Sequence, residues 1–141
     1  MALAPPHEVF LSNSNEDREF VDTVASKLRL HGIPVWYSRT NIIGGQLWHD
    51  EIGAALRRCD WFAVVLSPRS VDSMWVTREV VKAPEPRHLK NRIIPILYEP
   101  CDFERLSWTL SLFQMVDFTG QFADGLTALL RIWGVDYNAQ L

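Results

Sequence analysis

Short β-branched apolar runs alternate along this chain with stretches whose apolar residues recur at helical spacing, the pattern of βαβ units wound around a parallel sheet. Trp61–Leu66 is the clearest run. It is too short for a helix and no polar position interrupts it, as expected of a central strand covered on both faces. Further strands are read at 8–12, 33–37, Ile93–Leu97 and 115–118, with Pro34 marking an edge or first strand position because proline cannot donate to a ladder. The first helix follows Asn13, Ser14 and Asn15, any of which could cap it, carries Glu16 and Asp17 in its first turn, and aligns Phe20, Val21, Val24, Ala25 and Leu28. His31-Gly32 ends it. A second helix is read over about 48–58 with Ile52, Ala55 and Leu56 inward. A third, capped by Ser70 or Asp72, carries Met74, Trp75, Val76, Glu79, Val80 and Val81 until Pro84 stops it. The last, over about 121–133, aligns Phe122, Leu126, Leu129, Leu130 and Trp133. Three connections read as loops: 38–47 around Gly44-Gly45, a polar and locally basic 84–92, and a long 98–114. The sum is a five-stranded, doubly wound α/β domain with its crevice at the carboxyl ends of the strands.

Composition narrows the functions such a domain can have. With 141 residues, 48% hydrophobic and 22% charged, the chain is one domain's worth of sequence. Its length lets it bury roughly 68–70% of the surface its unfolded form exposes, so no disulfide or metal staple is needed. Cys59 and Cys101 form no CxxC and have no histidine at ligand spacing, which predicts two small core thiols and a reducing cytoplasmic setting. The longest apolar runs, 61–66 and 93–98, fall far below the ~18 residues of a membrane helix, and 1–6 lacks the basic start and apolar centre of a secretory leader. A net charge of -3 without a Lys/Arg block predicts neither a nucleic-acid nor a membrane partner.

Several chemistries common on α/β sheets lack their parts here. There is no GxxxxGK[ST], and Gly44-Gly45 falls short of a dinucleotide fingerprint. The polar strand tips, Ser12-Asn13 and Ser67-Pro68, hold no acidic cluster for Mg²⁺ and phosphorylation, and no GxSxG elbow is present. The four histidines are isolated, so no metal site is expected. What remains is Trp75 and Glu79, four residues apart and therefore on one face of the third helix. An aromatic plane beside a carboxylate suits a sugar or nucleoside, with the carboxylate stabilising an oxocarbenium-like transition state. The plain structural alternative puts Trp75 in the core and leaves Glu79 solvated, pairing weakly with Lys82.

The ordered set Glu8-Val-Phe-Leu-Ser12, Gly32-Ile-Pro-Val-Trp36, Gly44-Gly45 before Trp48, Val64-Val-Leu-Ser-Pro68 and Ser73-Met-Trp75-Val-Thr-Arg-Glu79 resembles a TIR (Toll/interleukin-1 receptor) domain of the bacterial kind, over about residues 7–135. The resemblance implies a flavodoxin-like TIR fold, in a family whose domains are often parts of longer chains with sensor or coiled-coil segments. In its catalytic members the glutamate of W-x-x-x-E is required for cleaving NAD⁺ at the nicotinamide-ribose bond, giving ADP-ribose or a cyclic product in bacterial defence or virulence. Glu79 matches that catalytic position. The resemblance further implies substrate contacts at Trp75, Trp48, Ser38, Ser12 and Asn13, with NAD⁺ as substrate rather than retained cofactor. It matches 38–47, with Ile43, Gly44 and Gly45, to the BB loop through which such domains assemble with one another. Adaptor members of the family bind other TIR domains without catalysis, which is the alternative function.

Overall fold

In the computed structural model, which describes residues 4–37 and 45–141, with side chains from residue 50 onward in the second stretch, five strands form one parallel sheet. They are β1 (Val9–Ser12), β2 (Val35–Trp36), β3 (Trp61–Leu66), β4 (Ile93–Leu97) and β5 (Val116–Asp117), in the order β2-β1-β3-β4-β5. β1 pairs with β2 on one side, Val9 opposite Val35, and with β3 on the other, Val9 opposite Trp61. The chain therefore reverses its winding direction between β1 and β3, and a doubly wound sheet opens its crevice outside the carboxyl ends of those two strands.

Strand alternation divides the sheet's side chains between two cores. Val9, Leu11, Trp61, Ala63, Val65, Ile94 and Ile96 face one layer, where α1 (Arg18–Leu30) contributes Val21, Val24, Ala25 and Leu28 and α5 (Phe122–Ile132) contributes Leu126, Leu129 and Leu130. Phe10, Phe62, Val64, Leu66 and Ile93 face the other, against α2 (Gly45–Arg58), the short α3 (Pro68–Val71) and α4 (Met74–Lys82). β3 is buried along its whole length, as its uninterrupted apolar sequence predicts, and β1 is buried likewise although it ends in Ser12.

Local signals account for most boundaries. Ser14 accepts a hydrogen bond from the Glu16 N–H and opens a 3₁₀ turn, Asn15–Asp17, that leads into α1; Gly32, at φ +85°, closes the helix in a conformation that favours glycine. The third helix departs from expectation. It is two helices, and neither Ser70 nor Asp72 caps the longer one: Ser67 and Ser70 form a reciprocal capping box on α3, while Ser73 caps α4 by accepting from the Val76 N–H. The paired edge strands are shorter than predicted because regular pairing covers only two residues in each. The 84–92 segment is more than a solvated crossover, since Leu89 is fully buried and His88 Nε2 lies 3.0 Å from the Leu56 carbonyl. Likewise the 98–114 connection holds two 3₁₀ turns that bury Leu106 and Leu110. Cys59 is buried, which pushes its thiol up to about 12, whereas Cys101 is half-buried; both are free. Among the described residues no helix is long and apolar enough to cross a membrane.

Candidate active site

α4 is amphipathic in an unusual way. Positions 76, 79, 80 and 83 recur at the spacing of one helix face, and that face is turned to the core: Val76, Val80 and Ala83 are buried there, and so is Glu79, at 5% exposure. Trp75, one turn earlier, is 38% exposed. This inverts the plain expectation of a core tryptophan beside a solvated glutamate. Lys82 pairs with Glu85 at 3.8 Å instead, and the Arg78 guanidinium lies 5.7 Å from the centre of the Trp75 ring.

A carboxyl group taken out of water needs a partner. Ser12, the last residue of β1, is 1% exposed and donates its hydroxyl to Glu79 Oε1 at 2.6 Å. Burial pushes the Glu79 carboxyl up to about 8, against the hydrogen bond from Ser12, which pulls it down. No charged group of the described residues figures among these influences. The second oxygen, Oε2, accepts no hydrogen bond there.

A crevice of about 470 Å³ lies at this end of the sheet, lined by Ser14 to Glu16 after β1 and by Arg69, Asp72 and Trp75 after β3. Glu79 stands one helical turn beyond its tryptophan wall. The frame around the crevice is an ionic network that no sequence pattern discloses. Asp17, 3% exposed, accepts from Ser67 Oγ and from Arg69 Nε, each at 2.5 Å, and Arg69 reaches on to Glu99. Those two carboxylates push the Arg69 guanidinium further up, the Asp17 bond most strongly. The available signal is a basic residue directly after the Ser67-Pro68 that follows β3, with an acid in the turn after β1; by spacing alone Asp17 reads only as a favourable first-turn charge.

Of the residues expected at the site, the structure joins Ser12 to Glu79 at the end of β1 and puts Trp75, one turn earlier on α4, in the lining of the crevice, to which neither Ser12 nor Glu79 contributes. Asn13 is half-buried, and its amide donates to the Ser14 carbonyl at 3.0 Å. Trp48 belongs to the first turns of α2, and Gly45 is the first residue of that helix. Ser38, Ile43 and Gly44 lie outside the described residues. No group of three His, Cys, Asp or Glu that could hold a metal ion is found among the described residues.

A sequence model of the TIR domain matches residues 9–130. The chain is similar to "NAD(+) hydrolase PdTIR" of Paracoccus denitrificans, 32% identical over 81 residues, which are 57% of this chain and 27% of that protein. It is also similar to "2' cyclic ADP-D-ribose synthase AbTIR" of Acinetobacter baumannii, 31% identical over 77 residues, 54% of this chain and 29% of that one. The chain thus spans less than a third of the length of either relative. Among solved structures, the TIR domains of the activated Roq1 resistosome that recognises the effector XopQ superpose with a TM-score of 0.70 at 18% identity, covering 88% of this chain and 97% of that one.

Proposed function

This chain belongs to the TIR domain family, and from that premise we propose that it cleaves NAD⁺ at the nicotinamide-ribose bond, with Glu79 as the catalytic carboxylate. The observation that carries the reading is a glutamate buried at the switch point of a doubly wound sheet, one helical turn from a half-exposed tryptophan. The names of the two bacterial relatives support the substrate.

The chemistry asks little of the protein. Nicotinamide is joined to ribose as a pyridinium, so the bond breaks with its electron pair moving onto the ring nitrogen, and the leaving group departs neutral with no acid required. The positive charge passes to the sugar as an oxocarbenium ion. A carboxylate beside it lowers that barrier, and more so where water is excluded. The Glu79 carboxyl, held up at about 8 when the site is empty, is mostly protonated near neutrality. A bound pyridinium beside it favours the anion, so substrate binding releases a proton and creates the charge where it is used. Water adding to the sugar gives ADP-ribose and a proton; an oxygen or nitrogen of the same dinucleotide adding instead gives a cyclic product. Trp75 walls the crevice, and Trp48, Asn13 and Ser38 are the further substrate contacts in this reading.

Assembly belongs to the same proposal. The Roq1 TIR domains superpose as members of a resistosome, which supports self-association here, with Ile43 and Gly44 of the connecting segment and Gly45 at the start of α2 as the contact, and a cytoplasmic setting in bacterial defence or virulence. The same association without cleavage would make the chain a TIR-TIR docking module. Incubating NAD⁺ with concentrated protein, with and without a crowding agent, and separating the products by chromatography decides between them. Cleavage to nicotinamide that Glu79→Ala abolishes is the expected result. Cleavage unaffected by that substitution removes Glu79 from the mechanism, and no cleavage at any concentration leaves the docking module.

A further inference from the structure

We propose that Ser12 is a positioning residue: its hydroxyl commits Oε1 of Glu79 inside the protein, and so holds Oε2 toward the sugar of a bound dinucleotide. The consequence for turnover rests on the NAD⁺-cleaving reading; the effect on the carboxyl does not.

The geometry leaves Ser12 no role in direct contact with a ligand. Its side chain is 1% exposed, at the end of a strand paired on both sides, and its hydrogen is directed at a carboxyl oxygen 2.6 Å away. Glutamate has three side-chain torsions, and fixing the last of them in a helix needs a contact at the head group. The aliphatic neighbours on α4 supply none, since Val76, Val80 and Ala83 offer only apolar surface. Among the described residues, the charged groups of the surrounding elements are paired elsewhere or turned to solvent. Asp17 binds Ser67 and Arg69, Arg78 lies over Trp75, Lys82 pairs with Glu85, and Asp50 and Glu51 on α2 are exposed. None of them acts on the Glu79 carboxyl. Ser12 is thus the single polar contact of the Glu79 head group among the described residues, and it also favours the anion over the acid.

The test follows the Glu79 carboxyl directly. Protein labelled with ¹³C at the glutamate side-chain carboxyl is titrated by NMR from about pH 5 to about pH 10, the Glu79 signal being the one missing in Glu79→Gln. In Ser12→Ala the midpoint should rise by about one pH unit, and Ser12→Thr, which keeps the hydroxyl, should restore it. NAD⁺ cleavage should change in parallel: kcat in Ser12→Ala about tenfold lower at neutral pH, KM within about twofold, and the kcat/KM profile displaced to higher pH by the same amount as the NMR midpoint. Where alanine prevents folding, Ser12→Cys, with a weak donor of nearly the same size, should fall between wild type and the expected alanine values. A Glu79 signal that ignores the substitution overturns the proposal whatever the activity, as does a raised KM with unchanged kcat. A signal that moves as expected in protein that never consumes NAD⁺ overturns the role in catalysis together with the NAD⁺ reading, and leaves Ser12 as the group that sets the Glu79 proton.

Discussion

At the scale of single residues, Glu79 works against the stability of its own fold. Its carboxyl is raised to about 8 by burial, so the folded chain holds a proton there that the unfolded chain releases near 4.5. Stability is therefore fully present below the unfolded value and is lost as pH rises through the folded one. Glu79→Gln, which cannot ionise and can still accept from Ser12, should be more stable than wild type by a margin that grows across that window. At ~1.4 kcal/mol for each pH unit separating the folded and unfolded values, the gain above pH 8 is on the order of a few kcal/mol, read as urea denaturation midpoints at several pH values. A margin independent of pH would show that the carboxyl is ordinary. Sites that stabilise a transition state are often built at such a cost. Asp17 is the opposite case. Asp17→Ala strips the inner partner from Ser67 and from the partly exposed Arg69, and should cost about 2 kcal/mol with an unchanged denaturant slope.

At the scale of elements, the helices were legible and their joints were not. α1 and α5 follow from apolar spacing and end where sequence signals put them, Gly32 beyond one and Gln121 before the other. Gly32→Ala should lower stability by about 1 kcal/mol, because an alanine at φ +85° is strained although nothing crowds it. Gly125 is constrained by space instead: a Cβ there would lie 2.6 Å from the Phe118 ring, which Phe20 and Phe122 hold from two further sides. Gly125→Ala should therefore cost about 1–3 kcal/mol despite the better helix propensity of alanine, seen as a lower Tm. The break between α3 and α4 is not legible in sequence because Ser67, Ser70, Ser73 and Asp72 are all competent caps, and only hydrogen bonds choose among them.

At the scale of the molecule, the sheet order explains why the site is where it is. α4 returns from the tip of β3 and crosses toward β1, so a residue of the second half of the chain meets the end of the first strand. If assembly completes the site, NAD⁺ turnover per protomer should climb with protein concentration in step with the sedimenting oligomer. Turnover that stays constant while the oligomer forms would assign assembly a different purpose.

The order of apolar runs was enough to determine the fold class, the number of strands and the buried faces of α1 and α5, because burial periodicity is written locally along a chain. It also singled out Trp75 and Glu79 as a pair, since four residues are one helical turn wherever the helix lies. Tertiary packing alone decided which of the two is buried, that Ser12 spends its hydroxyl on the carboxyl, and that Asp17, Ser67, Arg69 and Glu99 form one network. These contacts join residues 30 or more positions apart. No local spacing encodes them, and what a buried carboxyl does depends on the few atoms the fold brings to meet it.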